Sequence, residues 1–369
     1  LFVHVPRLAS EISVVDLGTL PTRVEPLSHL IPEFAKSEGY VKRDDQSADV
    51  YGGNKVRTLE FLFGQALRQG AQRIYSTGAF GSNHAAATVL HAERVGLQSG
   101  AILFPQPPSG AARENFALVM TRAHDAVLLP HWSVLPLGVA WAKQRGGARV
   151  SVMAPGGAVP LGALGYVSAA LELAEQVASG ELPAPRRIVL GVGSTCTSAG
   201  LLVGLRVARA LGLAFRARLP EVVAVRVSPW PVTSPRRIAW LAYRTSQLLS
   251  RLARDARFAF SFAELASGLR LDPRFIGSGY GRVTNEGLDA IRLFANFGAH
   301  GLDTTYSAKS AAGFLRALSE SSGPTLYWAT KSSRPLPAPD PSTLDGLPRA
   351  ARRFLARCRG ADGLVRPAR

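Results

Sequence analysis

Cysteine is nearly missing from the 369-residue chain, which has only Cys196 and Cys358. Two cysteines make no disulfide framework, and no metal-ligand spacing accompanies them, so a disulfide-stapled secreted module and a zinc module are excluded. Long apolar runs are also missing, which excludes a membrane-spanning segment and leaves no membrane partner to expect. The first residues carry Glu11 and Asp16 and show no basic-then-apolar export pattern. A reducing, cytoplasmic setting is therefore expected. Acidic residues are scarce, with 26 Asp and Glu against 43 Lys and Arg, giving a net charge of +17. Such a balance raises a nucleic-acid hypothesis. The positive charge is mostly arginine scattered along the chain, with basic patches at Arg236, Arg237, Arg251, Arg254 and Arg257 and at Arg349, Arg352, Arg353, Arg357 and Arg359. No zinc-finger spacing or RNA-recognition signature goes with them. They read as solvated faces, and a nucleic-acid partner is not expected.

Lysine is scarce too, with six in the chain, and only Lys55 stands directly behind two glycines and an asparagine, in Tyr51-Gly52-Gly53-Asn54-Lys55. Glycines there let the backbone turn tightly and let a planar group approach. The residues that follow, Val56 to Phe63, have apolar side chains at helical spacing, which puts Lys55 at a loop-to-helix junction. The positive end of that helix disfavours an ammonium, and a neutral amine condenses with an aldehyde cofactor. Taken alone, the pattern also describes a surface lysine after a glycine turn.

Downstream, short apolar strands alternate with helical stretches. Helices are expected near 54–69, 83–95 and 110–123, and strands at 73–76, 101–104, 126–129 and 148–152. A second series has strands at 187–190, 222–225 and 325–328 and helices near 195–211 and 235–257. Such alternation gives parallel sheets covered on both faces. The expected fold is α/β, with two doubly wound domains and the smaller inserted in the larger. The larger comprises 1–60 and 175–369, with 335–369 as an extra tail carrying one helix, and the smaller comprises 61–174. Sites in such sheets lie at the carboxyl ends of strands, so the cleft between domains is the expected site.

Two further stretches carry chemistry. Ser76 to His84 follows a strand and opens a helix, where backbone N–H groups bind carboxylates. Ser82, Asn83 and His84 offer polar side chains there, although Ser82 also reads as an ordinary helix cap. Gly191-Val192-Gly193-Ser194-Thr195 lies between a strand and a helix, as a phosphate cup would. Cys196 stands where a dinucleotide fingerprint needs its third glycine, and the chain has no Gly-Lys-Ser/Thr of a P-loop NTPase.

Together these segments resemble the D-cysteine desulfhydrase and 1-aminocyclopropane-1-carboxylate (ACC) deaminase family, from about Leu17 to about Thr330. The resemblance rests on Gly52-Gly53-Asn54-Lys55 with Arg57 and Leu59-Glu60-Phe61-Leu62, on Ser82-Asn83-His84, on Leu161-Gly162-Ala163-Leu164-Gly165-Tyr166 and on the Gly193-Ser194-Thr195 loop. It implies the pyridoxal 5'-phosphate (PLP) fold type II, like the tryptophan synthase β chain, a small amino-acid substrate and a homodimer. It implies that Lys55 holds the cofactor and moves the Cα proton. Asn83 would meet the ring hydroxyl, Gly191, Gly193, Ser194 and Thr195 the phosphate, and Thr330 the pyridine nitrogen. Ser82, Asn83, His84, Tyr280 and Tyr306 would face the substrate, with Ser82 and both tyrosines in catalytic roles. ACC deaminases typically carry glutamine at the place of His84 and glutamate at the place of Ser307. The resemblance therefore favours D-cysteine desulfhydrase-like α,β-elimination over ACC ring opening, with a non-catalytic binding protein as the remaining alternative. The chain departs from the family at Thr58 (usually lysine), Gly81 (usually glutamine), Ala158-Val159 (usually polar) and Lys331-Ser332 (usually two glycines).

Overall fold

Short runs of β-branched and apolar residues form ten strands in the computed structural model, which describes residues 1–229, 232–295 and 301–359. In chain order they are β1 (Val24–Pro26), β2 (Gly39–Lys42), β3 (Arg73–Ala79), β4 (Gln98–Phe104), β5 (Asp125–Leu128), β6 (Val150–Val152), β7 (Arg187–Val192), β8 (Glu221–Arg226), β9 (Leu269–Asp272) and β10 (Thr325–Trp328). They make two sheets, one in each of two compact units.

The first unit comprises Leu1–Gln65 and Gly157–Arg334. Its six strands lie in the order β1-β2-β10-β7-β8-β9, with β1 antiparallel and the rest parallel. Strand β10 sits between β2 and β7, with Thr325 opposite both Gly39 and Arg187. Three chain segments therefore leave from neighbouring carboxyl ends: Arg43 to Lys55 after β2, Ala329-Thr330 after β10, and Gly193 to Thr195 after β7. This is where open parallel sheets place their ligands.

The unit's main core joins Ile188 and Leu190 of β7 with Leu164, Val167 and Leu171 of helix Pro160–Ala178 and Leu201, Leu202 and Leu205 of helix Cys196–Ala210. Each such side chain, fully buried, stabilises by roughly 1.5–3 kcal/mol. Helix Pro160–Ala178 also approaches helix Asn54–Arg68 closely, because a Cβ at Gly165 would lie 2.1 Å from the Arg57 carbonyl oxygen.

The second unit comprises Ala66–Gly156 and the tail from Pro335. Its four strands are all parallel, in the order β5-β4-β3-β6. Phe80, Phe116 and Phe354 meet at its core, with ring centroids 4.7–5.1 Å apart.

Several expectations are refined. Helix Pro160–Ala178, expected in the smaller domain up to residue 174, packs in the first unit because its apolar face meets helix Cys196–Ala210. The tail, expected with the larger domain, packs in the second unit, and it carries two helices, Pro341–Asp345 and Arg349–Arg359. Residues 360–369 lie outside the described residues. The basic helix expected to 257 ends at Ala253, where Arg254 turns left-handed at φ 53°. Strands β1 and β9 were not expected: both are short, and β1 ends in a proline, as edge strands tolerate. Among the described residues no helix is long and apolar enough to cross a membrane.

Candidate active site

Lys55 is placed by backbone hydrogen bonds to the segments that leave β2 and β10. The Gly53 N–H donates to the Asp44 carbonyl at 2.7 Å and the Asn54 N–H to the Thr330 carbonyl at 2.8 Å. Gly53 has φ 93°, and a Cβ there would lie 2.8 Å from the Thr330 oxygen, so glycine is required on two counts. Asn54 opens helix Asn54–Arg68 and donates from Nδ2 to Thr197 Oγ1 at 3.0 Å. Lys55 follows, only 8% exposed, and its Nζ donates to Ser194 Oγ at 3.1 Å. The surface-lysine alternative is thereby overturned. Burial lowers the Lys55 pKa, with the neighbouring Cys196 opposing it.

Ser194 belongs to a cup at the end of β7. Thr195 has φ 68°, a left-handed conformation that costs a residue with a side chain about 1 kcal/mol, and it turns the chain into helix Cys196–Ala210. A Cβ at Gly193 would touch Ser228 Oγ at 3.3 Å and Tyr306 Cε1 at 3.4 Å, so the loop passes close to both. Behind the cup, Cys196 donates from Sγ to the Gly157 carbonyl at 3.3 Å and lies 3.9 Å from Thr58 Oγ1. Burial pushes this thiol's pKa up. Thr58, a departure from the family, is thus packed against Cys196.

Tyr280 and Tyr306 meet hydroxyl to hydroxyl, with rings in a T-shaped arrangement and centroids 5.9 Å apart. Burial raises both phenols, Tyr280 to about 12 and Tyr306 well above its ordinary value, the latter raised further by Tyr280. Both are therefore protonated at neutral pH. The Asp303 carboxylate accepts from the Tyr306 N–H at 2.7 Å and from Ser307 Oγ at 2.7 Å, so it fixes the start of helix Ser307–Ser319 and occupies the Ser307 hydroxyl.

The Lys331-Ser332 departure is built into the same region. Lys331 pairs with Gly53 in a β-bridge, and its Nζ donates to Tyr51 OH at 2.8 Å. Ser332 Oγ accepts from the Gly52 N–H at 3.1 Å. Side-chain anchors stand where the resemblance places two glycines, and Thr330 accepts the Asn54 N–H through its carbonyl.

Lys55, Gly191, Gly193, Ser194, Thr195, Tyr280, Tyr306 and Thr330 all lie in the first unit. Ser82, Asn83 and His84 lie in the second. There Ser82 caps helix Asn83–Ala92, accepting from the Ala85 N–H at 3.2 Å, as the ordinary reading of that serine has it. Asn83 Oδ1 accepts from Asn115 Nδ2 at 2.7 Å, and His84 is buried. Gly81 has a local reason: a Cβ there would lie 2.6 Å from Ala112 Cα.

A buried charge cluster centred on Arg57 of the Lys55 motif supports the site. Arg57 is 1% exposed and binds both Asp44 and Glu172, and Tyr166 OH and Trp328 Nε1 donate to Asp44 at 2.6 and 2.8 Å. A charged residue between Val56 and Leu59 in an apolar run was the available signal for Arg57. A buried amine, a neighbouring hydroxyl and a helix N-terminus converge here, with room made by glycine. These residues fit an aldehyde that carries a phosphate: Lys55 would hold the aldehyde carbon, and Gly193, Ser194 and Thr195 the phosphate.

Comparison with known proteins agrees with that chemistry. Residues 15–328 match the family described as pyridoxal-phosphate dependent enzyme. The chain is 32% identical over 331 residues to nocardicin C-9' epimerase of Nocardia uniformis subsp. tsuyamanensis, covering 87% of this chain and 93% of that protein. It is 33% identical over 328 residues to D-cysteine desulfhydrase of Serratia proteamaculans, covering 85% and 92%. Among solved structures, an ACC deaminase homologue superposes with a TM-score of 0.64 at 24% identity, over 96% of this chain and 99% of that one. A processed threonine deaminase from Solanum lycopersicum gives 0.58 at 15% identity, over 96% and 92%.

Proposed function

The chain belongs to the pyridoxal-phosphate dependent enzymes, and we propose that it is a lyase eliminating the β-substituent of a small amino acid, in the manner of D-cysteine desulfhydrase. The observation that carries this reading is the buried Lys55 amine 3.1 Å from Ser194 Oγ at the phosphate cup. Bound pyridoxal phosphate supplies the electron sink that acidifies the substrate Cα–H. Lys55, with its pKa lowered by burial, is the base assigned to take that proton. Ser194 orients the amine. The Tyr280 and Tyr306 phenols keep their protons at neutral pH and are assigned to the proton that meets the departing thiolate. Loss of the Cα proton and the β-thiolate from D-cysteine leaves 2-aminoacrylate, and water converts it to pyruvate and ammonia. Ser82, Asn83 and His84 are assigned to the substrate, and Asn83 also to the cofactor ring, by the same proposal.

Two observations favour elimination over ACC ring opening. Ser307 supplies no carboxylate where ACC deaminases carry one, and its hydroxyl is bound to Asp303. The D-cysteine desulfhydrases are relatives at about a third identity over most of the chain. A second reading, proton exchange at Cα without elimination, is favoured by the similarity to an epimerase and by the phenol pair, which keeps its protons beside the glycine cup.

The test is release of pyruvate or 2-oxobutanoate from D-cysteine, L-cysteine, D-serine and ACC in deuterated water, with Lys55→Ala as control. Pyruvate from cysteine or serine supports elimination. Deuterium at Cα without pyruvate supports epimerisation, and turnover of ACC alone overturns the substrate class.

A further inference from the structure

Tyr280 sits in a stretch of backbone with little preference of its own. Gly277, Gly279 and Gly281 have φ of 65°, 145° and 72°, conformations that leave the segment dependent on outside contacts to hold one shape. The contacts come from Lys309. Its side chain is fully buried on helix Ser307–Ser319, and its ammonium donates to the Ile276 carbonyl at 2.7 Å and to the Gly279 carbonyl at 3.3 Å. These two carbonyls bracket the turn immediately before Tyr280. Lys309 also lies three residues beyond Tyr306, on the element whose start Asp303 fixes.

We propose that Lys309 is a positioning residue for Tyr280, a charged clamp that holds the Gly277–Gly281 loop against the Tyr306 element so that the two hydroxyls meet. The chemistry explains why an ammonium is used. Burying the charge is costly, and an apolar side chain of similar length would fill the space. Only a donor with several N–H groups at one point can tie two carbonyls of a glycine loop at once, and a charged donor makes those bonds roughly twice as strong. The clamp orders the loop without touching the reacting atoms.

The proposal deepens the elimination reading and rests on Tyr280 facing the reaction, so its test is read on the resting protein as well as during turnover. Hydrogen–deuterium exchange is measured on peptides covering 276–281 in the holoenzyme, wild type against Lys309→Met and Lys309→Arg. The expected result for Lys309→Met is exchange at least tenfold faster in that segment and unchanged in β7 and β10. Its kcat should fall at least tenfold with KM within about threefold, while Lys309→Arg, which keeps the charge and several donors, lies closer to wild type in both measures. Unchanged exchange in Lys309→Met, or the two variants behaving alike, overturns the clamp. Faster exchange with wild-type kcat overturns its link to Tyr280. Should Lys309→Met not fold, Gly279→Ala attacks the same contact from the loop side, since alanine does not hold φ near 145° and the Gly279 carbonyl must move. The same signature is expected there, and wild-type exchange and kinetics overturn the proposal. A wild type that releases no oxo acid from any amino acid sinks the elimination reading, while the exchange data still decide the clamp.

Discussion

The Arg57 guanidinium lies across the Asp44 carboxylate, with Nε 3.0 Å from Oδ2 and Nη2 2.8 Å from Oδ1. The pair joins the segment leaving β2 to the helix that presents Lys55, two residues before Arg57. Thr22, Tyr166 and Trp328 donate to the same carboxylate, so Asp44 gathers the N-terminal arm, helix Pro160–Ala178 and the end of β10. Arginine and the other donors hold the Asp44 pKa at about 2 against the cost of burial. Asp44→Asn leaves Arg57 in the interior short of a counter-charge and should lower unfolding free energy by about 3 kcal/mol in denaturant titration. Because the folded pKa is depressed, Asp44's contribution is complete above the unfolded value near 3.8 and disappears as pH falls through about 2. The asparagine variant should therefore show a flatter acid limb than wild type.

Lys55→Ala removes the amine that meets Ser194 at the cup. It should abolish the cofactor's covalent attachment, seen as loss of borohydride-fixed label on the polypeptide, and cut turnover by on the order of a thousandfold or more. Equal turnover in the variant would rule out the assigned base.

The phenol pair makes a signed prediction. Tyr280 raises the Tyr306 pKa by its proximity and by the hydrogen bond between them. Tyr280→Phe should therefore bring the Tyr306 ionisation to lower pH in an ultraviolet difference titration, though still above the ordinary tyrosine value because burial remains. Either phenylalanine variant should lower kcat by about a hundredfold if the pair donates the proton.

Phe354 fills a space between Phe80 and Phe116 in the second unit. Phe354→Ala should cost about 3 kcal/mol in that unit, measured by thermal or denaturant unfolding. Phe354→Leu should cost clearly less.

Much of the first unit was readable because its signals are local. Glycines before Lys55 and a strand-loop-helix pattern at Gly191 to Thr195 each describe one short stretch, and both stretches fold as read. Arg57 was visible in the Lys55 motif, but its pairing with Asp44 and Glu172 was not readable, because they lie 13 and 115 residues away and only the packing brings them together. Lys309 was hidden for a related reason, since its partners are backbone carbonyls and leave no trace in residue type. Helix Pro160–Ala178 was assigned to the neighbouring domain because its apolar pattern does not say which sheet it covers. The tail was read as an appendage, although Ala351, Phe354, Leu355 and Cys358 follow a helical stripe that the structure buries.

The chain passes from one unit to the other three times, near residues 65, 156 and 334. Neither unit is thus a contiguous stretch of coding sequence. A fragment ending at either of the first two crossings leaves both units incomplete, one ending at the third completes only the first, and a chimaera with a relative must exchange matched segments at all three junctions to transplant either unit whole.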